Sequence, residues 1–298
     1  MRKIAVAVDF MADKPQNVIE GANEASCYSF EEEIIVVGPE SIGPQLKHGA
    51  KLKEAKDWIE MGEEIEAVRA KPEASINIAC RMLQDRAQAL VSAGNSKAIV
   101  AAAISNRGML AGIERPALAV ILPVSKGKVV LADVGAIVDA KPKWLLQWAI
   151  LASGYASVSL GKKNPTVGLL NIGQEKTKGN QLTKACYPLL KGCKAINFVG
   201  NVENIFSGRA DVVVCDGFVG NVLLKNLEGG LEFFFRDQRK EADYSSYGGA
   251  LLLGVNGIVV IAHGRSSPQA IKNAINLALE IAKKDFLAEM RKISRKLV

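Results

Sequence analysis

Histidine is nearly missing from this chain: only His48 and His263 stand among 298 residues. None of the five cysteines (Cys27, Cys80, Cys186, Cys193, Cys215) forms a CxxC pair. A metal centre built on Cys/His spacing is therefore not expected. Aromatic residues make up 6% of the chain, too few to supply a base-stacking surface, so no nucleic-acid partner is expected. The nucleotide fingerprints are missing as well. No GxGxxG follows the first apolar run and no GxxxxGK[ST] occurs, which argues against a dinucleotide dehydrogenase and a P-loop NTPase. No GxSxG elbow marks an α/β-hydrolase. The longest apolar stretch, 251–262, is broken by Gly254, Asn256 and Gly257 and is too short to span a bilayer. Asp9 and Asp13 interrupt the apolar residues after Met1, so no signal-peptide core is read there. A cytoplasmic protein with reduced thiols is the expectation.

What is present is an ordinary globular balance, with 49% hydrophobic and 23% charged residues. The net charge of +7, with a pI near 9.1, suits an anionic partner: an acidic small molecule, an acidic carrier protein or a membrane face. Part of that charge gathers in the tail "KKDFLAEMRKISRKLV", read as a basic surface helix.

Short β-branched runs alternate with helical patterns along the chain. Strands are expected at 3–8, 33–38, 89–94, 117–123, 128–135, 166–173, 195–202, 211–217 and 257–264. Helical segments are expected at 143–160, 180–191, 221–235 and 268–284. Many strand runs are apolar throughout rather than alternating, as befits strands covered on both faces. The fold class is therefore α/β, a doubly wound and mostly parallel sheet, read as a single domain over 1–298 with a less regular excursion at about 39–75.

Ligands in such sheets bind beyond the carboxyl ends of the strands. Five strand ends here carry Gly with Asp or Asn: "SAGNS" (92–96), "ADVGAIVDAKP" (132–142), "NIGQEKTKGN" (171–180), "VGNVEN" (199–204) and "CDGFVGN" (215–221). Glycine permits close backbone approach, and a helix N-terminus adds amide donors for an anion. Lys141, Lys178 and Lys225 lie near three of these turns, which suggests an anion-rich cleft. Cys215 beside Asp216 is a poor nucleophile, because a neighbouring carboxylate raises a thiol pKa, and a buried strand cysteine is the better reading. His263 reads equally as a site residue and as a satisfied strand-end histidine.

The stretches "GIERPALAVILP", "DVGAIVDAKP", "VGLLNIGQEKTKGNQLTK", "NFVGNVENIFSGRADVVVCDGFVGNVLLK" and "YGGALLLGVNGIVVIAHGRSSPQAIKNAI" resemble the bacterial phosphate acyltransferase (PlsX) family. The resemblance covers about 91–278. It implies a Rossmann-like sandwich related to phosphotransacetylases, usually homodimeric, that converts acyl-[acyl carrier protein] and inorganic phosphate to acyl phosphate for phospholipid synthesis, with no cofactor. It further implies Lys178 and Asn180, with Asn95 and Ser96, as contacts to phosphate and the acyl carbonyl. Asp133, Gly135, Asp139 and Lys141 would organise a facing loop. Asn201, Asp216, Gly217, Gly220, Asn221 and Lys225 would form the opposing wall, with His263 at the edge. For each aspartate an N-cap or loop clamp is an equal alternative.

Three stretches depart from the family pattern. The first strand normally leads into Gly-Gly-Asp-His; here "VDFMADKPQN" loses the glycine pair and has Lys14 near the histidine's place. The "SAGN" turn continues with Ser96-Lys97 where Thr-Gly is usual. Between Gly230 and Tyr247 a long amphipathic insertion is replaced by the short "LEFFFRDQRKEADYSS". Peripheral association with the inner membrane face is thus left open, and core packing or a subunit contact is the alternative task for the phenylalanines of 231–235. Two other functions remain in view: acyl transfer between phosphate and a different thioester (acyl-CoA, or an enzyme-bound acetyl thioester as in component C of glycine reductase), and carrier binding without turnover.

Overall fold

The computed structural model describes residues 3–27, 31–125, 127–234 and 248–297, with side chains omitted for 231–234. These residues divide into two compact units, Met1–Gly108 with Asp243–Leu287, and Met109–Ala242 with Ala288–Val298. Each unit carries its own set of strands and helices.

The first unit contains β1 (Ile4–Asp9), α1 (Pro15–Ser26), β2 (Glu32–Gly38), β3 (Lys51–Glu54), α2 (Ala67–Ala70), α3 (Ser75–Met82), β4 (Ala89–Ser92) and α4 (Ser96–Arg107). It is completed by β10 (Ala250–Leu253), β11 (Ile258–Ile261) and α8 (Pro268–Lys283). Its strand order is β3-β2-β1-β4-β11-β10, parallel except for β10. The 39–75 excursion holds a 3-10 turn at Glu40–Gln45, α2 and β3, and β3 pairs with β2 at the sheet edge. Ala5, Val6 and Ala7 are fully buried although neighbours point to opposite faces, so both faces of β1 are covered. Helices α1 and α8 pack on each other, as do α3 and α4.

The second unit contains β5 (Ala117–Val124), β6 (Gly127–Ala132), α5 (Pro142–Leu160), β7 (Thr166–Leu170), α6 (Gln181–Gly192), β8 (Asn197–Val202), β9 (Val212–Val214) and α7 (Gly217–Phe234). Helix α9 (Phe286–Arg295) joins it from residue 288 onward. Strands run β5-β6-β9-β7-β8, parallel except for β5. The mostly parallel α/β fold expected from the apolar runs is the one found. Helix α5 starts with proline and ends at Gly161 in the left-handed region (φ 68), the usual stop and start chemistry of helices. It buries Leu145, Trp148, Leu151 and Tyr155 completely.

One boundary differs in a way that matters. Helix α7 begins at Gly217, not near Asn221, because Asp216 caps it: Val219 N donates to Asp216 Oδ1 at 2.9 Å. Glycines that read as a loop are the first turn of a helix. Residues 231–235 and the rest of the shortened insertion lie outside what is described at side-chain level. No helix among the described residues is long and apolar enough to cross a membrane.

At Gly21 a Cβ would lie 2.6 Å from both Ile271 Cβ and Pro268 O, so the α1–α8 contact depends on the missing side chain. Gly21→Ala is expected to lower unfolding stability by about 1–3 kcal/mol, despite alanine's better helix propensity. Urea denaturation measures this; a stabilised variant would show that the two helices separate at little cost.

Candidate active site

At the carboxyl end of the second unit's sheet, β6 delivers Asp133 and β9 delivers Asp216. Asp133 is fully buried and collects four main-chain donors. Leu118 N, Gly135 N and Ala136 N donate to Oδ1 at 2.8, 3.1 and 3.0 Å, and Ile137 N donates to Oδ2 at 2.7 Å. Burial pushes its pKa up to about 6, against the opposing pull of those donors. The carboxyl thus acts as a clamp that ties the 133–137 loop to β5.

Helix α7 is pressed against that clamp. A Cβ at Gly220 would stand 1.8 Å from Asp133 O, and one at Gly217 would stand 2.7 Å from both Asp133 Oδ2 and Ile137 O. Gly217 N donates to Ile137 O and Gly220 N to Asp216 O. These glycines serve close packing, and their amides are already engaged. Cys215 is buried, donates to Asp133 O at 3.4 Å and has its pKa raised by burial and by Asp133 and Asp216, as suits a structural thiol. The loop leaves Gly135 at φ 135, where a Cβ would lie 3.5 Å from Asn221 Cβ and Oδ1. Asp133, Gly135, Asp216, Gly217, Gly220 and Asn221 therefore come together, with the aspartates and the glycine amides engaged within the protein.

A second group forms beyond β7 and β8. Asn171 donates to Lys178 O at 3.1 Å and receives Ile172 N. Gly179, at φ 106, turns the chain into α6, and Asn180 caps that helix through Thr183 N at 2.9 Å. Asn201 is buried and donates to Glu175 O at 2.8 Å, while its Oδ1 accepts from no donor among the described residues. A buried acceptor left without a donor is costly unless a ligand or water supplies one.

In the first unit, Asn95 is fully employed. It caps α4 through Lys97 N and Ala98 N, and its Nδ2 donates to Met61 O and Glu63 O. His263 is exposed and its Nδ1 accepts from Arg265 N at 3.1 Å. The adjoining turn meets the divergent N-terminal turn, since Asp13 N donates to Gly264 O at 3.0 Å. Lys14 stands at the N-cap position of α1 without capping it.

Two lysines are placed otherwise than expected. Lys141 lies over the Trp144 ring at 5.2 Å, and Lys225 pairs with Glu228 at 2.6 Å rather than facing a bound group. Among the described residues, the exposed side chains of Ser96, Asp139, Lys178 and Asn221 have no partner, so these candidates are open to a ligand.

A profile described as "Fatty acid synthesis protein" matches residues 4–236 and 234–289. The chain belongs to that family. It is 44% identical to a phosphate acyltransferase of Desulfitobacterium hafniense and 42% identical to one of Heliobacterium modesticaldum, with 96% of each chain covered in both alignments. Among solved structures it is similar to phosphotransacetylases of Streptococcus pyogenes (TM-score 0.68, 14% identity, 94% of each chain) and Staphylococcus aureus (TM-score 0.66, 15% identity, 94% of each chain). At that identity the likeness is one of fold.

Against the family pattern, one cluster was not singled out by the sequence. Asp9 closes β1, is buried, and accepts from Ser75 Oγ at 2.6 Å and Ser92 Oγ at 2.7 Å. The available signal is a carboxylate ending the apolar run "IAVAVD"; Ser75 is remote in sequence and gives none. Burial pushes Asp9 up to about 6, with the hydrogen bonds opposing. Because the folded pKa lies above the ordinary value of 3.8, the folded state holds this proton more tightly, and the associated stability is complete below about pH 4 and lost as pH rises through about 6. The stability of the wild type relative to Asp9→Asn is therefore expected to increase by about 2 kcal/mol between pH 7 and pH 4. Paired urea titrations measure it, and a constant difference across that range would refute the assignment.

Proposed function

We propose that this protein is a phosphate acyltransferase that uses acyl-[acyl carrier protein] as donor, releases acyl phosphate and free carrier, and works as a homodimer. The observation carrying this reading is the end-to-end alignment with relatives named phosphate acyltransferase, which leaves neither chain with a large unmatched part. The strand-end chemistry agrees with it.

In this reaction a phosphate oxygen attacks the thioester carbonyl, a tetrahedral oxyanion forms, and the carbonyl reforms as the C–S bond breaks. The thiolate leaves with the electron pair and needs little acid assistance. Phosphate is already anionic, so the enzyme's task is to desolvate and aim it. Lys178 is suited to hold phosphate, because its ammonium is exposed and uncommitted while Asn171 fixes the main chain beneath it. Asn221 is suited to donate to the developing oxyanion, because its amide is exposed beside the clamped Gly135 turn. Asn180 and Asp216 keep the two helix starts in place. Asn201 Oδ1 offers an acceptor to a protonated phosphate oxygen or a bound water. No step needs an enzyme nucleophile, in keeping with the buried, pKa-raised Cys215.

The test is incubation of the purified protein with hexadecanoyl-[acyl carrier protein], with and without phosphate, and trapping of acyl phosphate as the hydroxamate. Phosphate-dependent hydroxamate is expected. Carrier that binds without releasing thiol would indicate the non-catalytic reading. Asn221→Ala is expected to lower kcat by roughly 100-fold. Lys178→Ala should chiefly raise the KM for phosphate, by about tenfold, because an exposed charge contact contributes modestly. The +7 net charge adds a third expectation. Raising ionic strength from low salt to 0.5 M should reduce kcat/KM for the acidic carrier by at least about tenfold. Equal salt sensitivity with acyl-CoA would remove the argument for a carrier-protein donor.

A further inference from the structure

The positive charge of this chain is not spread evenly. In the second unit lysine and arginine outnumber aspartate and glutamate, whereas in the first unit they do not. Within the second unit the imbalance centres on helix α6. From Lys176 to Val202 the sequence holds Lys176, Lys178, Lys184, Lys191 and Lys194 and no carboxylate side chain. The elements packed against α6 add none, since neither α5 nor β8 contains Asp or Glu. Other lysines of the unit are committed: Lys143 to Glu114, Lys162 to Asp211 and Lys225 to Glu228. The ammonium groups around α6 are exposed and have no partner among the described residues.

The helical repeat gathers this charge. Lys184 and Lys191, seven residues apart, share one side of α6 about 10 Å from each other along its axis, with exposed Pro188 between them. Cys186 and Leu190 fall on the opposite side and are buried. The helix starts from the Gly179 turn, which carries Lys178 and Asn180. Lys184 stands about 6 Å, and Lys191 about 16 Å, from Asn180 along the axis. The lysine face therefore leads directly to the residue assigned above to phosphate.

We propose that this face of α6 is where the acidic carrier protein docks. The proposal rests on the phosphate acyltransferase reading and gives its donor a place on the molecule. A carrier seated there has its thioester-bearing arm beside the helix end that displays Lys178. An anionic membrane is the competing occupant. A helix that lies in a bilayer surface turns its apolar side to the lipid, whereas α6 buries Cys186 and Leu190 within the protein and offers charge alone. Charge without apolar insertion suits a soluble partner rich in carboxylates, whose association a concentrated positive field accelerates.

The experiment reverses charge at two places in the same unit. Lys184→Glu/Lys191→Glu alters the proposed face, and Lys128→Glu/Lys296→Glu makes the same net change on other elements. All four positions are exposed, so neither variant disturbs the core. The KM for hexadecanoyl-[acyl carrier protein] is expected to rise at least about tenfold in the first variant and less than about threefold in the second, with kcat at saturating donor retained in both. Lys184→Arg/Lys191→Arg should keep the wild-type KM, because charge carries the contact. Equal rises in the two Glu variants overturn the proposal, since they leave only the bulk charge, and so does an unchanged KM in the first. Loss of binding to phosphatidylglycerol vesicles in the first variant, with carrier kinetics intact, assigns the face to a lipid surface instead. A turnover-independent arm couples the carboxylates of acyl-free carrier to lysines of the wild type with a carbodiimide. Crosslinks at Lys176, Lys184, Lys191 or Lys194 support the proposal even if no acyl phosphate forms, and crosslinks confined to other lysines refute it. Failure of the function and failure of the docking face are thus read separately.

Discussion

The approach of helix α7 to the main chain of Asp133 is the contact on which the second unit's strand-end geometry depends. Helix and strand end meet at a distance that leaves no room for a side-chain carbon at Gly220 and almost none at Gly217. Asp133 secures the other side of the contact by gathering four main-chain amides on its carboxyl group. The loop held in this way is rigid enough to keep Gly135 at positive φ, facing Asn221. The position of one exposed amide is thus the outcome of contacts made by buried groups.

That arrangement divides the polar residues by task. Asp133, Asp216, Asn95 and Asn180 are committed to clamps and caps, and Asp9 is enclosed by two serine hydroxyls. Lys178, Asn221 and Ser96 keep uncommitted side chains on the surface. Positioning groups that are fully hydrogen-bonded lose no energy to reorganisation when charge develops nearby, which is how preorganised sites stabilise an oxyanion. An attacking group that is already an anion makes a deprotonated enzyme nucleophile unnecessary. The raised pKa of Cys215 is therefore no handicap.

On this helix the 3.6-residue repeat separates the glycines packed on Asp133 from the apolar side chains of Phe218, Val219 and Val222.

Much of the architecture was legible in the sequence. Runs such as "KIAVAV" and "ALAVILP", apolar at successive positions, require cover on both faces and so imply a parallel α/β sheet. Glycine paired with Asp or Asn at five strand ends supplied the candidate residues, since such ends combine tight turns with helix N-termini. Roles were less legible, because an aspartate that clamps a loop and one that binds a ligand have the same letters around them. Asp133, Lys141 and Lys225 were assigned by three-dimensional partners, namely four amides, an indole ring and a glutamate. Ser75 reached Asp9 across 66 residues of sequence, which no local pattern encodes. Periodicity and turn chemistry depend on near neighbours in the chain, so the sequence by itself determined the class of fold and the strand ends that carry the candidate residues. Burial and hydrogen-bond partnership depend on distant segments meeting, so only the tertiary structure decided which of the candidate side chains are committed and which remain open.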